Sequence, residues 1–255
     1  MQTNTDWLIG KRVLITGAAG GIGSAMASAF AAGGAELLLA DRVADGLSKI
    51  AGDVKGEAFT FDQSDAGSIA ALAEAVGGVD ILLNNAGILE VAPLIETDPA
   101  VIDRILRTNL IGPITLARLL APRMAERARS ADTMSVIVNT ASQLAFDAAI
   151  GRGIYAVAKA GLVQFTKTAG AEWAPLGVRV CALGPGRTLT PMNAKLLADP
   201  MDRAKALAGI PSGRFGSAGE MAQLALFLAS PAADYVVGET LVADGGYVLV
   251  SGRGA

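Results

Sequence analysis

The sequence predicts one doubly wound α/β domain built on a seven-stranded parallel sheet. Three observations carry this. Short β-branched or leucine-rich runs alternate with longer alanine-rich segments along the chain. The runs lack polar alternation, as strands do when both faces are covered. No Pro/Ser-rich linker, low-complexity tract or internal repeat divides the 255 residues, so residues 1–255 read as a single domain.

The predicted strands are Arg12–Thr16, Glu36–Ala40, Ala58–Phe61, Asp80–Leu83, Ser135–Thr140, Val178–Leu183 and Glu239–Ala243. The predicted helices are Ile22–Ala32, Ala66–Val76, Pro99–Arg127, Ile154–Trp173 and Gly219–Ala229. Residues 188–216 are less regular, with Pro191, Pro200 and Pro211, and read as an excursion hung on a strand end. We expect this excursion to cover a substrate.

Composition bounds the function. A chain that is 52% hydrophobic and 18% charged is not disordered. Its length supports a core without disulfide or metal staples. A net charge of −3 argues against nucleic-acid binding, which usually needs a basic patch. The single cysteine, Cys181, excludes an intrachain disulfide framework. There is no histidine, so every histidine-dependent triad or zinc motif is excluded. Acid–base chemistry falls to Tyr, Lys, Asp or Glu, and no metal is expected. The opening residues carry no apolar secretory core. The stretch Val13–Ala35 is uncharged and long enough to span a bilayer. Its six glycines make it a strand, a turn and a small-residue helix instead. The expectation is a soluble, cytoplasmic protein that works on a small molecule, away from membranes.

The first strand runs into Thr16-Gly17-Ala18-Ala19-Gly20-Gly21-Ile22-Gly23, and a helix follows. Such glycines let the backbone turn tightly and approach a pyrophosphate at the helix N-terminus. The second strand ends at Asp41, 18 residues past Gly23 (41 − 23 = 18). That is close to the spacing of an acid that binds the adenosine ribose. An ordinary strand-end aspartate capping the next turn is the competing reading. Tyr155 and Lys159 are four apart, so they share one helix face. A nearby ammonium favours phenolate, which makes Tyr155 a candidate general acid or base. Ser142 lies just past the fifth strand, at the end of the sheet where ligands bind.

Taken together, Thr16-Gly-x-x-x-Gly-x-Gly23, Asn84-Asn85-Ala86-Gly87, Asn109, Ser142, Tyr155-x-x-x-Lys159 and Pro185-Gly186 resemble a classical short-chain dehydrogenase/reductase over essentially the whole chain. The resemblance implies a Rossmann-like domain and an oxidoreductase that passes hydride between NAD(H) and a secondary alcohol or ketone. It implies that Gly17, Ala19, Gly20, Gly21, Ile22 and Gly23 hold the pyrophosphate. Asp41, with Arg42 beside it, would meet the adenosine ribose, and Asp62 and Gln63 would border the adenine. Asn85, Ala86 and Gly87 would line the cofactor. Tyr155 would be the acid/base, Ser142 would bind the substrate oxygen, and Lys159 would bind the nicotinamide ribose and depress the tyrosine pKa. Asn109 would hold a water in a proton relay running through Lys159. Pro185, Gly186, Thr188 and Thr190 would place the nicotinamide.

Two departures stand out: Cys181 replaces a frequent asparagine, and Gly184 precedes Pro185. The resemblance also implies a homo-oligomer, with a tetramer expected. Interfaces would form on the helices Pro99–Arg127 and Ile154–Trp173 and on the apolar run Tyr247-Val248-Leu249-Val250. Gln143, Leu144, Arg152, Glu90, Leu189 and Met192 are candidates for the substrate pocket by proximity to the motifs. Two alternatives stay open: a catalytically silent NAD-sensing protein, and an NADPH-dependent 3-oxoacyl reductase. Asp41 speaks against the second.

Overall fold

The strands follow from runs of apolar residues whose alternate side chains enter two different cores. In β1 (Arg12–Thr16), Val13 and Ile15 face one core and Leu14 faces the other. Leu37 and Leu39 do the same against Leu38 in β2 (Glu36–Asp41). Both faces are apolar, which is why the sequence shows no polar alternation. The computed structural model describes residues 5–148, 150–190 and 198–251.

The remaining strands are β3 (Glu57–Thr60), β4 (Ile81–Asn84), β5 (Ser135–Thr140), β6 (Val178–Pro185), β7 (Thr188–Leu189), β8 (Gly216–Ser217) and β9 (Thr240–Ala243). Seven of them form one parallel sheet in the order β3-β2-β1-β4-β5-β6-β9, and β7 and β8 pair separately. One face is covered by α1 (Gly21–Ala32), α2 (Ala44–Val54) and the helix Ala218–Ala229. The other is covered by α3 (Ala66–Val76), α5 (Gly112–Ala131) and α6 (Gly153–Trp173), with α4 (Pro99–Leu106) leading into α5. The chain order of the strands reverses between β1 and β4, and ligands bind outside the carboxyl ends at such a switch point.

Three expectations are corrected. The helix Ala44–Val54 was not foreseen; Gly46, Gly52 and two aspartates lower its propensity, but Leu47, Ile50 and Ala51 pack it down. The span Pro99–Arg127 is two helices rather than one, joined by a π-helical segment at Arg107–Ile111. Pro113 has no N–H, so the carbonyl of Asn109 loses its ordinary i+4 donor there. Gly112 also sits against Gln63, whose carbonyl oxygen a Cβ would approach to 2.2 Å. The third strand is Glu57–Thr60, a mostly exposed sheet edge, and the buried Phe61 lies just past it.

Two charged groups inside the fold, Asp80 and Arg179, are paired. Asp80 accepts from Arg127 at 3.1 and 2.8 Å and from the Arg12 backbone N–H at 2.8 Å, tying β4 to α5 and β1. Arg179 is fully buried in β6 and donates to the carbonyls of Leu228 and Ser230 at the end of the helix Ala218–Ala229, where a cation suits the helix dipole. Cys181 lies beside it, and burial pushes the thiol up to about 11. Its Sγ is 3.8 Å from the Ile137 carbonyl oxygen, a weak substitute for an amide. Among the described residues, no helix is long and apolar enough to cross a membrane.

Candidate active site

A cavity of about 540 Å³ opens along the carboxyl ends of β1, β2, β4, β5 and β6. That is within the usual size for a small-molecule site. At one end lies the turn after β1. Gly17 has φ +67°, and a Cβ there would come within 2.7 Å of the Ala86 Cα. Gly23 is one turn into α1, where a Cβ would come within 2.0 Å of the Gly17 carbonyl oxygen. Glycine is required at both positions by backbone proximity. Gly17, Ala19, Gly20, Gly21 and Ile22 line the cavity, while Gly23 lies beneath them and does not. The start of α1 has no side-chain cap. Its first N–H groups are therefore available to an anion.

Asp41 closes this end. Its Oδ2 accepts from the Ala19 N–H at 2.9 Å and its Oδ1 from the Val43 N–H at 3.0 Å. The aspartate does brace the turn. Each carboxylate oxygen keeps a second lone pair, and Asp41 and Arg42 both line the cavity. Asp62 follows β3. The hydroxyl and N–H of Ser64 donate to its Oδ1 at 2.7 and 2.8 Å and hold its carboxyl below the usual range. Gln63 lines the cavity but turns its amide inward, donating to the carbonyls of Ala86 and Thr108 at 3.0 and 2.7 Å.

Past β4, Thr16 Oγ1 accepts the N–H groups of Asn85 and Ala86, both at 3.1 Å. Asn85 Nδ2 donates to the Thr16 carbonyl at 3.1 Å. These bonds lock the β1 and β4 ends together. Gly87 lines the cavity, and a Cβ there would lie 2.8 Å from Asn109 Oδ1. Asn109 is fully buried in the π segment and does not line the cavity. Its side chain spans the Ile88 backbone, accepting from the N–H at 2.9 Å and donating to the carbonyl at 2.8 Å. It braces the Gly87 turn through its side chain.

The reactive groups converge at the other end. Ser142 follows β5 and lies within reach of Tyr155, whose hydroxyl it hydrogen-bonds. Lys159 stands one turn along α6 from Tyr155. Its Nζ donates to the Thr140 carbonyl at 2.6 Å and lies 5.7 Å from the centroid of the Tyr155 ring. Burial pushes the lysine down to about 8. Burial also pushes the Tyr155 phenol up, and the Ser142 hydrogen bond only partly offsets this. Loss of hydration is the larger of these two influences on the phenol. A buried chain, Asn84 to Asn139 to Thr166, runs beneath these groups at 3.0 and 2.9 Å and fixes β4, β5 and α6 relative to one another.

Pro185, Gly186, Thr188 and Thr190 line the cavity beside these groups, as do Gln143, Leu144 and Arg152. Glu90 and Leu189 do not line it; Glu90 is paired with Arg104. Met192 lies outside the described residues. Arg187 was not foreseen, yet it lines the cavity, and its place directly after Pro185-Gly186 was the available signal. Among the described residues no cluster of three or more His, Cys, Asp or Glu could hold a metal.

The residues fit a nicotinamide dinucleotide. A glycine cradle that any Cβ would fill leads to an uncapped helix start, an acid lies at one end, and a Tyr–Lys–Ser group lies at the other. Comparisons agree. A family model described as enoyl-(acyl carrier protein) reductase matches residues 17–248. D-threitol dehydrogenase from Mycolicibacterium smegmatis is 40% identical over 252 residues, 95% of this chain and 94% of that one. Galactitol 2-dehydrogenase (L-tagatose-forming) from Cereibacter sphaeroides is 38% identical over 95% of this chain and 96% of its own. A chain from Beutenbergia cavernae, solved with NADP bound at low occupancy, superposes with a TM-score of 0.90 at 36% identity, covering 95% and 98% of the two chains.

Proposed function

The chain belongs to the short-chain dehydrogenase/reductase family of oxidoreductases, and from that premise we propose that it interconverts a secondary alcohol and its ketone with NAD(H). The observation that carries this reading is the convergence of Ser142, Tyr155 and Lys159 at one end of the cavity that begins at the glycine turn. When bound, the nicotinamide supplies the hydride acceptor or donor. Tyr155 Oη exchanges the proton of the substrate oxygen, and Ser142 Oγ shares the charge on that oxygen. Burial keeps the phenol protonated at neutral pH, which suits donation to a carbonyl. Lys159, still largely charged at neutral pH, holds a cationic field beside the ring and a proton at Nζ. Asn109 holds a water in a proton relay that runs through Lys159.

Asp41 supports NAD(H) over NADP(H). A 2′-phosphate beside this carboxylate would cost on the order of several kcal/mol even at an effective dielectric of about 20. Arg42 opposes this, but it is not fixed by the strand end as Asp41 is. The segment 188–216, where described, runs from Thr188 to the helix Pro200–Ala208 and back to Gly216, and we assign it to covering the substrate. We also place the enzyme in the cytoplasm as a homotetramer. Exposed Ile111, Val157, Leu249 and Val250 on the helices and near the C-terminus support the oligomer. The test is reduction of NAD across a panel of secondary alcohols, with NADH binding and light scattering on the same preparation. Turnover supports the enzyme. NADH binding with no turnover on any alcohol would return the silent sensor, and a monomer at micromolar concentration would overturn the tetramer.

A further inference from the structure

Two arginines open onto the reactive end of the cavity, and among the described residues no carboxylate pairs with them. Arg152 stands just ahead of α6 and Arg187 just past Pro185-Gly186, and both line the cavity with Ser142 and Tyr155. Arg187 lies over the Tyr247 ring, 5.7 Å from its centroid. Its Nε is buried without a hydrogen-bond partner. Among the described residues, neither guanidinium makes an ion pair or donates a side-chain hydrogen bond. Two acids of the neighbouring loops, Asp244 and Glu90, are engaged elsewhere. Asp244 accepts from the N–H groups of Gly246 and Val248, both at 2.8 Å. Glu90 is paired with Arg104. The two cations feel each other: burial, then the charge of Arg187, lowers the pKa of Arg152.

Like charges converging in a partly dehydrated pocket are unfavourable until an anion joins them. The buried or part-buried guanidinium groups of Arg127 and Arg179, by contrast, have a carboxylate or carbonyl partner. A guanidinium is also the side chain best shaped for a planar or tetrahedral oxyanion. These two lie at the end that holds the reacting oxygen, away from Asp41 and the glycine turn. We propose that Arg152 and Arg187 together bind an anionic group of the substrate, a carboxylate or a phosphate monoester, so that the alcohol this enzyme oxidises is an acidic one. This rests on the oxidoreductase reading above. It separates the chain from relatives named for neutral polyols, threitol and galactitol.

The experiment has a binding arm and a rate arm. Glutarate and inorganic phosphate are titrated into the NADH complex of the wild type and of the Arg152→Gln/Arg187→Gln double variant, followed by NADH fluorescence. Saturable binding of one anion in the wild type, weakened at least tenfold in the variant, is expected. In the rate arm, a six-carbon aldonate, a hexitol 6-phosphate and the neutral galactitol are compared by kcat/KM with NAD. Preference for either anionic substrate over galactitol should be about 100-fold, since charge-assisted hydrogen bonds contribute about tenfold or more each. Which anion wins identifies the carboxylate or the phosphate as the source. Each single glutamine variant should lower the preference chiefly through KM. The inference is overturned if NADH binds but neither anion does, if both anions bind equally to the double variant, or if galactitol is the equal of both anionic substrates. Those results leave the oxidoreductase reading intact. Failure of the wild type to bind NADH at all would bring down that reading and this one with it.

Discussion

Replacing Lys159 by methionine is expected to abolish turnover while stabilising the folded protein at neutral pH. The lysine is only 3% exposed and its one hydrogen bond is to the Thr140 carbonyl. Burial brings it from 10.5 to about 8. That fall corresponds to about 3 kcal/mol held against its charged form in the folded state. Methionine removes this penalty but leaves the Thr140 carbonyl without its donor, which costs about 1–3 kcal/mol. The net gain near pH 7 is therefore between about 0 and 2 kcal/mol. The pH dependence is the sharper test. Between about 8 and 10.5 the unfolded chain binds a proton at Lys159 that the folded chain has lost. Wild-type stability must rise with pH across that window. From about pH 7 to about pH 9.5 the lysine adds about 2 kcal/mol to the wild type and nothing to the methionine variant. Urea unfolding of both proteins at both pH values gives the difference, and titrations common to the two cancel. The advantage of the variant should shrink by that amount. A difference that is constant with pH, or that grows, would refute a buried lysine held charged against its hydration.

Tyr155→Phe should lower kcat by about 10²–10⁴-fold with NADH affinity little changed; a variant keeping more than about a tenth of the wild-type rate would remove Tyr155 from proton transfer. Ser142→Ala should also lose rate, through weaker charge stabilisation on the substrate oxygen. The wild type should prefer NAD to NADP by at least about tenfold in kcat/KM, and Asp41→Ala should relax that preference; equal efficiencies in the wild type, or no relaxation in the variant, would show that Asp41 does not read the ribose. Gly23→Ala would set a Cβ 2.0 Å from the Gly17 carbonyl oxygen, which forces the turn and α1 apart at about 1–3 kcal/mol. Thermal unfolding and NADH titration should both register the loss, and an unchanged Kd would mean that the glycine turn does not form the cofactor cradle.

Much of this molecule is determined by local sequence. Apolar runs at strand length, separated by helix-length alanine-rich segments, specify a covered parallel sheet, because only that arrangement buries both faces of every strand. The glycines at 17 and 23, the Tyr155–Lys159 spacing and the strand-end positions of Asp41 and Ser142 are likewise local, since each depends on one turn or one helix face. The helix Ala44–Val54 was less legible, because its propensity is poor and its stability comes from packing Leu47 and Ile50 beneath the sheet. What only the tertiary structure decided depends on distance through space and on dehydration. Asn109 turned out to brace the Gly87 turn with its side chain because a π segment, seated by the Gly112–Gln63 contact, rotates it there. Burial, which spacing along a helix cannot show, raised Tyr155 and lowered Lys159. Arg152 and Arg187 belong to different strand-end loops, and they meet because parallel strands deliver all their carboxyl ends to one edge of the sheet.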